Sequence, residues 1–321
     1  MKAYACYNLD EEERMTSSSG GIYPLLAKQV LNDKGVVFAA CYDDNLCVKH
    51  ECIKDLDMLR SSQGSKYVAS SLGNTFKDVI SMMEKGRMVA FVGTPCQCAG
   101  LESLIKEKRA DRSKLLLIDF VCHGIPSRRA WEAYKESMKK KEPELATVNM
   151  RDKTSGWSRM NYSWKWRTKD GAEVVEPERN VPYMKGMLAN LYIRPSCSYC
   201  SFKGFNRCTD ITLGDCWGVW NFLPEMDDNR GTSLILLHTD RGTEYFKRIQ
   251  NFIRKLEIDI NSAVKYNPCL VQSTPFNAKR KEFFERIKKG EDFEKVVNDL
   301  TKINVLEKTK RKIKRIINKL S

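Results

Sequence analysis

MVAFVGTPCQ, residues 88–97, and LLLIDFVCHGIPS, residues 115–127, decide how this chain folds. Each is a short apolar run that stops at a loop containing Gly, Pro and Cys. Each then gives way to a helical pattern: to about Lys108 in the first case, and from Arg128 to Lys141, capped by Ser127, in the second. Strand–loop–helix units of this length predict parallel strands joined by right-handed crossovers. Ligands of open α/β sheets sit beyond the carboxyl ends of the strands. Cys96 and Cys122 both fall at such ends. If the two strands are neighbours, both sulfurs lie on one edge of the sheet, within reach of one site.

Working back towards the amino terminus, Thr75 to Lys85 reads as a helix closed by Gly86. Val36–Cys41 and Val48–Ile53 read as strands, and Ser61–Tyr67 as a polar loop. A Ser-Ser-Ser-Gly-Gly run, residues 17–21, leads into Ile22, Leu25, Leu26, Gln29 and Val30, spaced as the apolar face of a helix that Gly35 closes. Free N–H groups at that helix start, with glycines that let a ligand approach the backbone, make Ser18, Ser19, Gly20 and Gly21 a candidate anion site. An ordinary capped helix behind a flexible loop reads the same way.

Working forward, residues 147–182 are strand-rich. Asn161–Thr168 alternates, with Tyr162, Trp164 and Trp166 on one face, and Lys169-Asp-Gly171 turns a hairpin. Such a face is core, although aromatics interleaved with Lys165 and Arg167 also suit stacking on bases. Met184 to Tyr192 reads as helix, Asp210–Asp215 as a short strand ending in a tight turn, and Ser233–His238 as a buried strand. Thr243–Leu256 reads as an amphipathic helix, and Phe283–Gly290 as another. His238 is a core or strand-end histidine; His123, in a loop between a cysteine and a glycine, is the better functional candidate. The expected architecture is α/β: a parallel-strand core of strand–loop–helix units (1–145), a mixed, strand-rich second half carrying the cysteine cluster (146–290), and a basic, helical C-terminal tail (291–321).

The chain has 321 residues and a net charge of +14, which points to an acidic partner: nucleic acid, anionic lipid or a phosphorylated cofactor. Residues 302–321 carry eight Lys/Arg against one Glu, and place Leu306, Ile313, Ile316, Ile317 and Leu320 near one helical face. That tail is a candidate contact with an anionic membrane surface or a partner, or a solvated terminal helix. The amino terminus has no apolar run of secretory length, and no stretch is long enough to span a bilayer, so a cytoplasmic location is expected. Twelve cysteines in a reducing compartment point to metal or redox work rather than disulfides.

Four of them lie in RPSCSYCSFKGFNRCTDITLGDCWG, residues 194–218: Cys197, Cys200, Cys208 and Cys216. The C-x-x-C pair at Cys197 and Cys200 can bring two thiolates to one centre, as zinc and iron–sulfur sites both do. Two buried thiols are the plainer alternative.

Taken together these pieces resemble the coenzyme F-420 hydrogenase/dehydrogenase beta-subunit family, from about Arg14 to Phe284. The likeness is carried by Ser18-Ser-Gly-Gly21, Gly64-Ser-Lys-Tyr67, Gly93-Thr-Pro-Cys-Gln97, Cys122-His-Gly-Ile-Pro-Ser127, Arg194-Pro-Ser-Cys-Ser-Tyr-Cys200 and Asp210-Ile-Thr-Leu-Gly-Asp215 with Trp217-Gly218. The resemblance implies an oxidoreductase with FAD and one 4Fe-4S cluster, in which electrons pass between a reduced deazaflavin such as coenzyme F-420, the flavin and the cluster. It implies Cys96, Cys122, Cys197 and Cys200 as cluster ligands. It places the flavin near Ser19, Gly20, Gly21, Ser65, Lys66, Tyr67 and Thr94, with Asp215 orienting it or accepting a proton, or serving only as a turn residue. Many relatives begin with a ferredoxin module of repeated C-x-x-C runs. None precedes Ser18 here, so a second relay is expected from an electron-transfer partner protein, and no nucleic acid is expected.

Three alternatives stand beside this reading. Cys208 and Cys216 are extra, which leaves a local Cys197/Cys200/Cys208/Cys216 site open. A zinc-stabilised basic module binding nucleic acid or a membrane is a different class. An accessory redox protein in surface-polysaccharide assembly keeps the family fold and changes the job.

Overall fold

The computed structural model describes residues 1–141 and 145–302. The strands, in chain order, are β1 Lys2–Asn8, β2 Val36–Tyr42, β3 Val48–Ile53, β4 Val89–Gly93, β5 Leu115–Phe120, β6 Leu145–Asp152, β7 Ser163–Thr168, β8 Glu173–Pro177, β9 Ile211–Asp215, β10 Ser233–Leu237 and β11 Ile253–Glu257. The helices are α1 Glu11–Thr16, α2 Ile22–Asn32, α3 Leu56–Ser62, α4 Thr75–Glu84, α5 Pro95–Lys108, α6 Arg128–Lys139, α7 Pro182–Leu188, α8 Val219–Phe222, α9 Asp240–Arg248, α10 Ile260–Tyr266, α11 Arg280–Lys288 and α12 Phe293–Thr301. Eight strands form one sheet in the order β11-β1-β10-β9-β5-β4-β2-β3. Its middle, β2, β4, β5 and β9, is parallel; β3 on one side and β10, β1 and β11 on the other pair antiparallel.

The continuous apolar runs are explained by helices on both faces. On β5, Leu115 and Leu117 face Val79 and Met83 of α4 and Leu101 and Ile105 of α5. Leu116 and Ile118 face the opposite layer, built from Leu26 and Val30 of α2, Leu59 of α3 and Phe246 of α9. The two-residue period thus sorts one apolar run into two cores. β6, β7 and β8 form a separate antiparallel sheet. Trp164 and Trp166 of β7 are buried with Trp131 and Tyr134 of α6 and Met184 of α7, so this aromatic face is core.

The expected helix over Thr243–Leu256 is corrected. It stops at Arg248, and Ile253–Glu257 is an edge strand on β1, with Tyr4 opposite Glu257 and Asn8 opposite Ile253. Ile249, Ile253 and Leu256 have helical spacing, but β1 offers an open edge to the second half of the run. The run from Met184 to Tyr192 also divides. α7 ends at Leu188, Asn190 takes a left-handed φ of 60°, and Ile193 bridges to Pro126. At the end of α2 the left-handed residue is Lys34, with φ 56°. Gly35 is needed instead for packing, since a Cβ there would come 2.5 Å from the Met88 carbonyl oxygen. The tail from 303 onward lies outside the described residues.

Candidate functional site

The carboxyl edge of the parallel strands gathers most of the residues singled out from the sequence. β1 runs parallel to β9, so Asn8 and the Ser18–Gly21 loop behind it share this edge with Asp215, Cys122, Thr94 and Cys96. The loop is packed against backbone. A Cβ at Gly20 would sit 2.5 Å from the Cys6 carbonyl oxygen and 2.7 Å from the Ser233 nitrogen. Gly21 caps α2 at φ 77°, a left-handed conformation that favours glycine. The Gly20 N–H donates to Ser233 Oγ at 2.9 Å, and Ser19 Oγ donates to the Thr232 carbonyl at 3.1 Å.

β6 of the small sheet reaches over this loop. Arg151, 3 % exposed, donates from both terminal nitrogens to the Asp215 carboxylate, at 3.0 and 3.1 Å. It also donates to the Tyr67 hydroxyl at 2.9 Å and to the Ser18 carbonyl at 3.3 Å. Its guanidinium lies over the Tyr162 ring, 4.1 Å from the centroid. Two residues on, the buried Lys153 amine donates to the carbonyls of Arg14 (2.6 Å), Arg230 (2.7 Å) and Ser19, pinning three segments. Burial pushes its pKa down to about 7, helped by Arg14 and Arg151. The two flagged loops are also joined directly, since the Ser65 N–H donates to Ser18 Oγ at 2.6 Å.

Lys66 turns inward. Its amine donates to the carbonyls of Ser62, Gln63 and Gly64 at 3.2, 2.9 and 3.2 Å, and burial lowers its pKa to about 8. Ser65 and Lys66 line a cavity of about 690 Å³, whose walls also come from α1, α3, the β2–β3 turn and β6. Its volume is that of an ordinary cofactor or substrate site. Five carboxylates (Asp10, Glu12, Glu13, Asp43, Asp44) and three cations (Lys28, Arg60, Lys66) line it.

Thr94 belongs with the thiols. It caps α5 in a capping box with Gln97, and its hydroxyl lies 3.2 Å from Cys96 Sγ. Gln97 Nε2 donates to Ser70 Oγ at 2.9 Å, tying this cap to the loop that carries Ser65.

The cysteine end is assembled by backbone pairing between distant segments. The Ser127 N–H donates to the Tyr192 carbonyl and the Arg194 N–H to the Ile125 carbonyl, each at 2.8 Å. That pairing sets the Cys122–Ser127 loop beside Cys197, whose Sγ accepts from the Ile125 N–H at 3.4 Å. A Cβ on Gly124 would meet Ile193 at 2.7 Å and the Cys197 Cβ at 3.5 Å, so a side chain here would push the two segments apart. Cys200 is held by its own N–H, which donates to Ser273 Oγ at 3.1 Å.

The thiols feel one another. Burial pushes Cys122 up to about 12; Lys203 pulls back, while Cys197, Cys96 and Cys200 each add to the rise. Cys197 is raised by burial and by Cys96 and Cys200, against the Ile125 N–H and Arg194. Cys96, Cys122, Cys197 and Cys200 thus lie near enough to influence one another's charge. Lys203, unflagged in the sequence, donates to the carbonyls of Cys122 at 2.5 Å and Cys269 at 2.8 Å. His123 sits behind them, with Nε2 2.7 Å from Asn190 Oδ1 and Nδ1 3.6 Å from Cys269 Sγ.

Cys208 and Cys216 go elsewhere. Cys208 is exposed among Glu102, Asp119 and Arg112, and Cys216 is buried beside Trp157 and Val219. No group of three or more Cys, His, Asp or Glu among the described residues is drawn in closely enough for a single metal ion. His238 is interior, with Nε2 2.8 Å from Thr212 Oγ1.

Arg151, Lys153 and Lys203 had no sequence signal. They are ordinary basic residues whose partners lie up to 139 positions away.

Three comparisons bear on this edge. The family model for the C terminus of the coenzyme F420 hydrogenase/dehydrogenase beta subunit matches residues 86–261, a span that holds all four converging thiols and Asp215. No curated protein matches the sequence. Among solved structures, a chain of the F420-reducing [NiFe] hydrogenase complex from Methanosarcina barkeri, studied as a xenon derivative, superposes with a TM-score of 0.58. The match covers 91 % of this chain and 94 % of that one at 14 % identity, a likeness of fold. Among the described residues, no helix is long and apolar enough to cross a membrane.

Proposed function

This chain belongs to the coenzyme F420 hydrogenase/dehydrogenase beta-subunit family, a redox family, and from that premise we propose that it is an iron–sulfur flavoprotein oxidoreductase. Cys96, Cys122, Cys197 and Cys200 are its cluster ligands, and FAD lies along the same carboxyl edge. The carrying observation is the mutual electrostatic influence of four partly exposed thiols drawn from three separate segments. Structural zinc needs four donors about 2.3 Å from one point; a four-iron cage takes thiolates set wider apart. Four thiolates with no histidine or carboxylate among them are the donor chemistry of such a cage.

A bound flavin supplies exchange between two-electron and one-electron steps, and a thiolate-held cluster supplies a one-electron port. The chain's own groups do the rest. Gly20 and Gly21 shape a loop that Arg151 and Lys153 hold by its carbonyls. Asp215, fixed by two hydrogen bonds from Arg151, would orient polar ring atoms of the flavin. Ser65 binds Ser18, Tyr67 binds Arg151 and Thr94 lies against the Cys96 sulfur, so these three would flank the flavin. The hydride donor is coenzyme F420 or another reduced carrier.

Protein purified without air should be brown, contain iron and acid-labile sulfide, and release FAD on denaturation. Colourless protein carrying stoichiometric zinc would overturn the reading.

A further inference from the structure

The loop that follows Cys200 carries a cation with no ion-pair partner among the described residues, Lys203. Its side chain is half-buried. Gly204, next in the chain, takes a left-handed φ of 92°, and its N–H donates to the Leu270 carbonyl at 2.7 Å. That turn lays Lys203 across two other segments, where its amine donates to the carbonyls of Cys122 at 2.5 Å and Cys269 at 2.8 Å. Carbonyl oxygens carry only partial charge, so these bonds fix the ammonium in place without cancelling it. Other cations of this edge are spent on carboxylates: Arg207 on the buried Asp119, and Arg151 on Asp215.

The charge is felt at the thiols. Burial pushes the Cys122 thiol up, and of the charged groups around it Lys203 acts most strongly, against that rise. Burial raises Cys269 too, and Lys203 again opposes it. At Cys197, raised by burial, Arg194 pulls the same way, but Arg194 is exposed, where water and salt screen it. A positive charge fixed beside anionic ligands favours whichever redox state is the more negative. Reduction adds one electron to a cluster already held by four anionic thiolates, so the reduced state gains.

We propose that Lys203 sets the reduction potential of the cluster: held by the Cys122 and Cys269 carbonyls, its ammonium raises that potential and draws the electron toward the cluster. The proposal rests on the cluster reading above. In the step concerned one electron leaves the donor and enters the oxidised cluster, with no bond made or broken. Bound reduced flavin supplies it in the protein, and dithionite supplies it in the test.

The full chain, purified without air, is titrated with dithionite in the presence of redox mediators. The reduced cluster is followed by electron paramagnetic resonance, and iron and acid-labile sulfide are assayed alongside. Lys203→Met keeps the reach of the side chain and loses its charge. It should retain iron and sulfide and shift the reduction equilibrium about tenfold toward the oxidised cluster, a fall of about 59 mV for one electron. Lys203→Arg keeps the charge and should stay within about twofold of the parent. Arg194→Gln should shift the equilibrium by less than about twofold at about 50 mM salt and lose that effect at about 500 mM, where the Lys203→Met shift persists.

A Lys203→Met protein with full iron and the parent's potential overturns the role of Lys203 and leaves the cluster reading intact. So does a Lys203→Arg shift as large as that of Lys203→Met, which makes geometry rather than charge the cause. Should Lys203→Met fail to load iron, Lys203→Gln, which keeps a donor for one carbonyl, carries the same expectation. Loss of iron in both reduces Lys203 to a structural pin and overturns the role. A parent protein free of iron and sulfide overturns the cluster reading, and this role falls with it.

Discussion

The two ends of one sheet edge are built from different materials. At the cysteine end, backbone pairing of Ile125–Ser127 with Tyr192–Arg194 sets the Cys122 loop beside Cys197, and β4 beside β5 puts Cys96 on the same edge. At the loop end, Ser18–Gly21 is held by long cationic side chains, Arg151 and Lys153, that arrive from a second sheet. The first end is fixed by main chain and carries its chemistry in a rare residue type. The second is fixed by side-chain charge and carries its chemistry in common residues. Substitutions should therefore act differently at the two ends: loss of a bound group at one, loss of structure at the other.

The largest effect is expected at the thiols. Cys122→Ser or Cys197→Ser should abolish iron binding, since a serine oxygen is a poor substitute for a cluster thiolate, with folding kept in circular dichroism. Cys208→Ser, placed among Glu102, Asp119 and Arg112, should keep full iron. If Cys208→Ser alone bleaches the protein, the ligand set above is wrong.

Next comes Arg151→Met. It strands Asp215 at the edge and removes the hold on Ser18 and Tyr67. Leaving one partner of a largely buried pair uncompensated costs roughly 3 kcal/mol or more. Chemical denaturation should reveal that loss, together with release of FAD from protein that keeps its iron. Arg151→Met with Asp215→Leu should recover part of the stability and none of the flavin; recovery of both would make the pair purely structural.

These two results mirror what was legible beforehand. The parallel core was readable because β4 is apolar throughout and β5 at every position but Asp119, each ending in a Gly-Thr-Pro-Cys or Cys-His-Gly loop followed by a helix. The four-thiol set came from the likeness to the family; the residues alone placed Cys96 and Cys122 at strand ends and paired Cys197 with Cys200. Arg151 was not, for nothing in Asn149-Met-Arg-Asp152 distinguishes it from other basic residues; its meaning comes from Asp215, 64 positions on. β11 failed for a related reason: its pairing partner, β1, lies about 250 positions away, and helical spacing over Ile249–Leu256 was the only local signal. Local pattern is visible in sequence; pairing across the chain is not.

Gly20→Ala should sharpen the loop end by a smaller amount. The added methyl would meet the backbone at Cys6 and Ser233, which belong to paired strands and cannot yield cheaply. A cost of about 2 kcal/mol is expected from such overpacking, with weakened FAD binding and unchanged iron. Gly64→Ala, where a Cβ meets nothing within 4 Å but φ is 82°, should cost less and act through backbone strain alone.

The smallest effect separates both ends from the sheet between them. His238 lies against Thr212, and burial, followed by Arg207 and the amino terminus, holds its pKa down at about 4. An unfolded chain takes up this proton near pH 6.5, whereas the folded one refuses it until about pH 4. The folded state thus binds fewer protons in that window. Its contribution to stability is complete above pH 6.5 and is lost as the pH falls towards 4, by roughly 1 kcal/mol after solvent screening. His238→Asn should flatten the fall in melting temperature between pH 6.5 and 4. If iron or flavin is released across that range while the melting temperature of the His238→Asn protein falls as steeply as the parent's, acid acts at the edge and the sheet interior is not the acid-sensitive part.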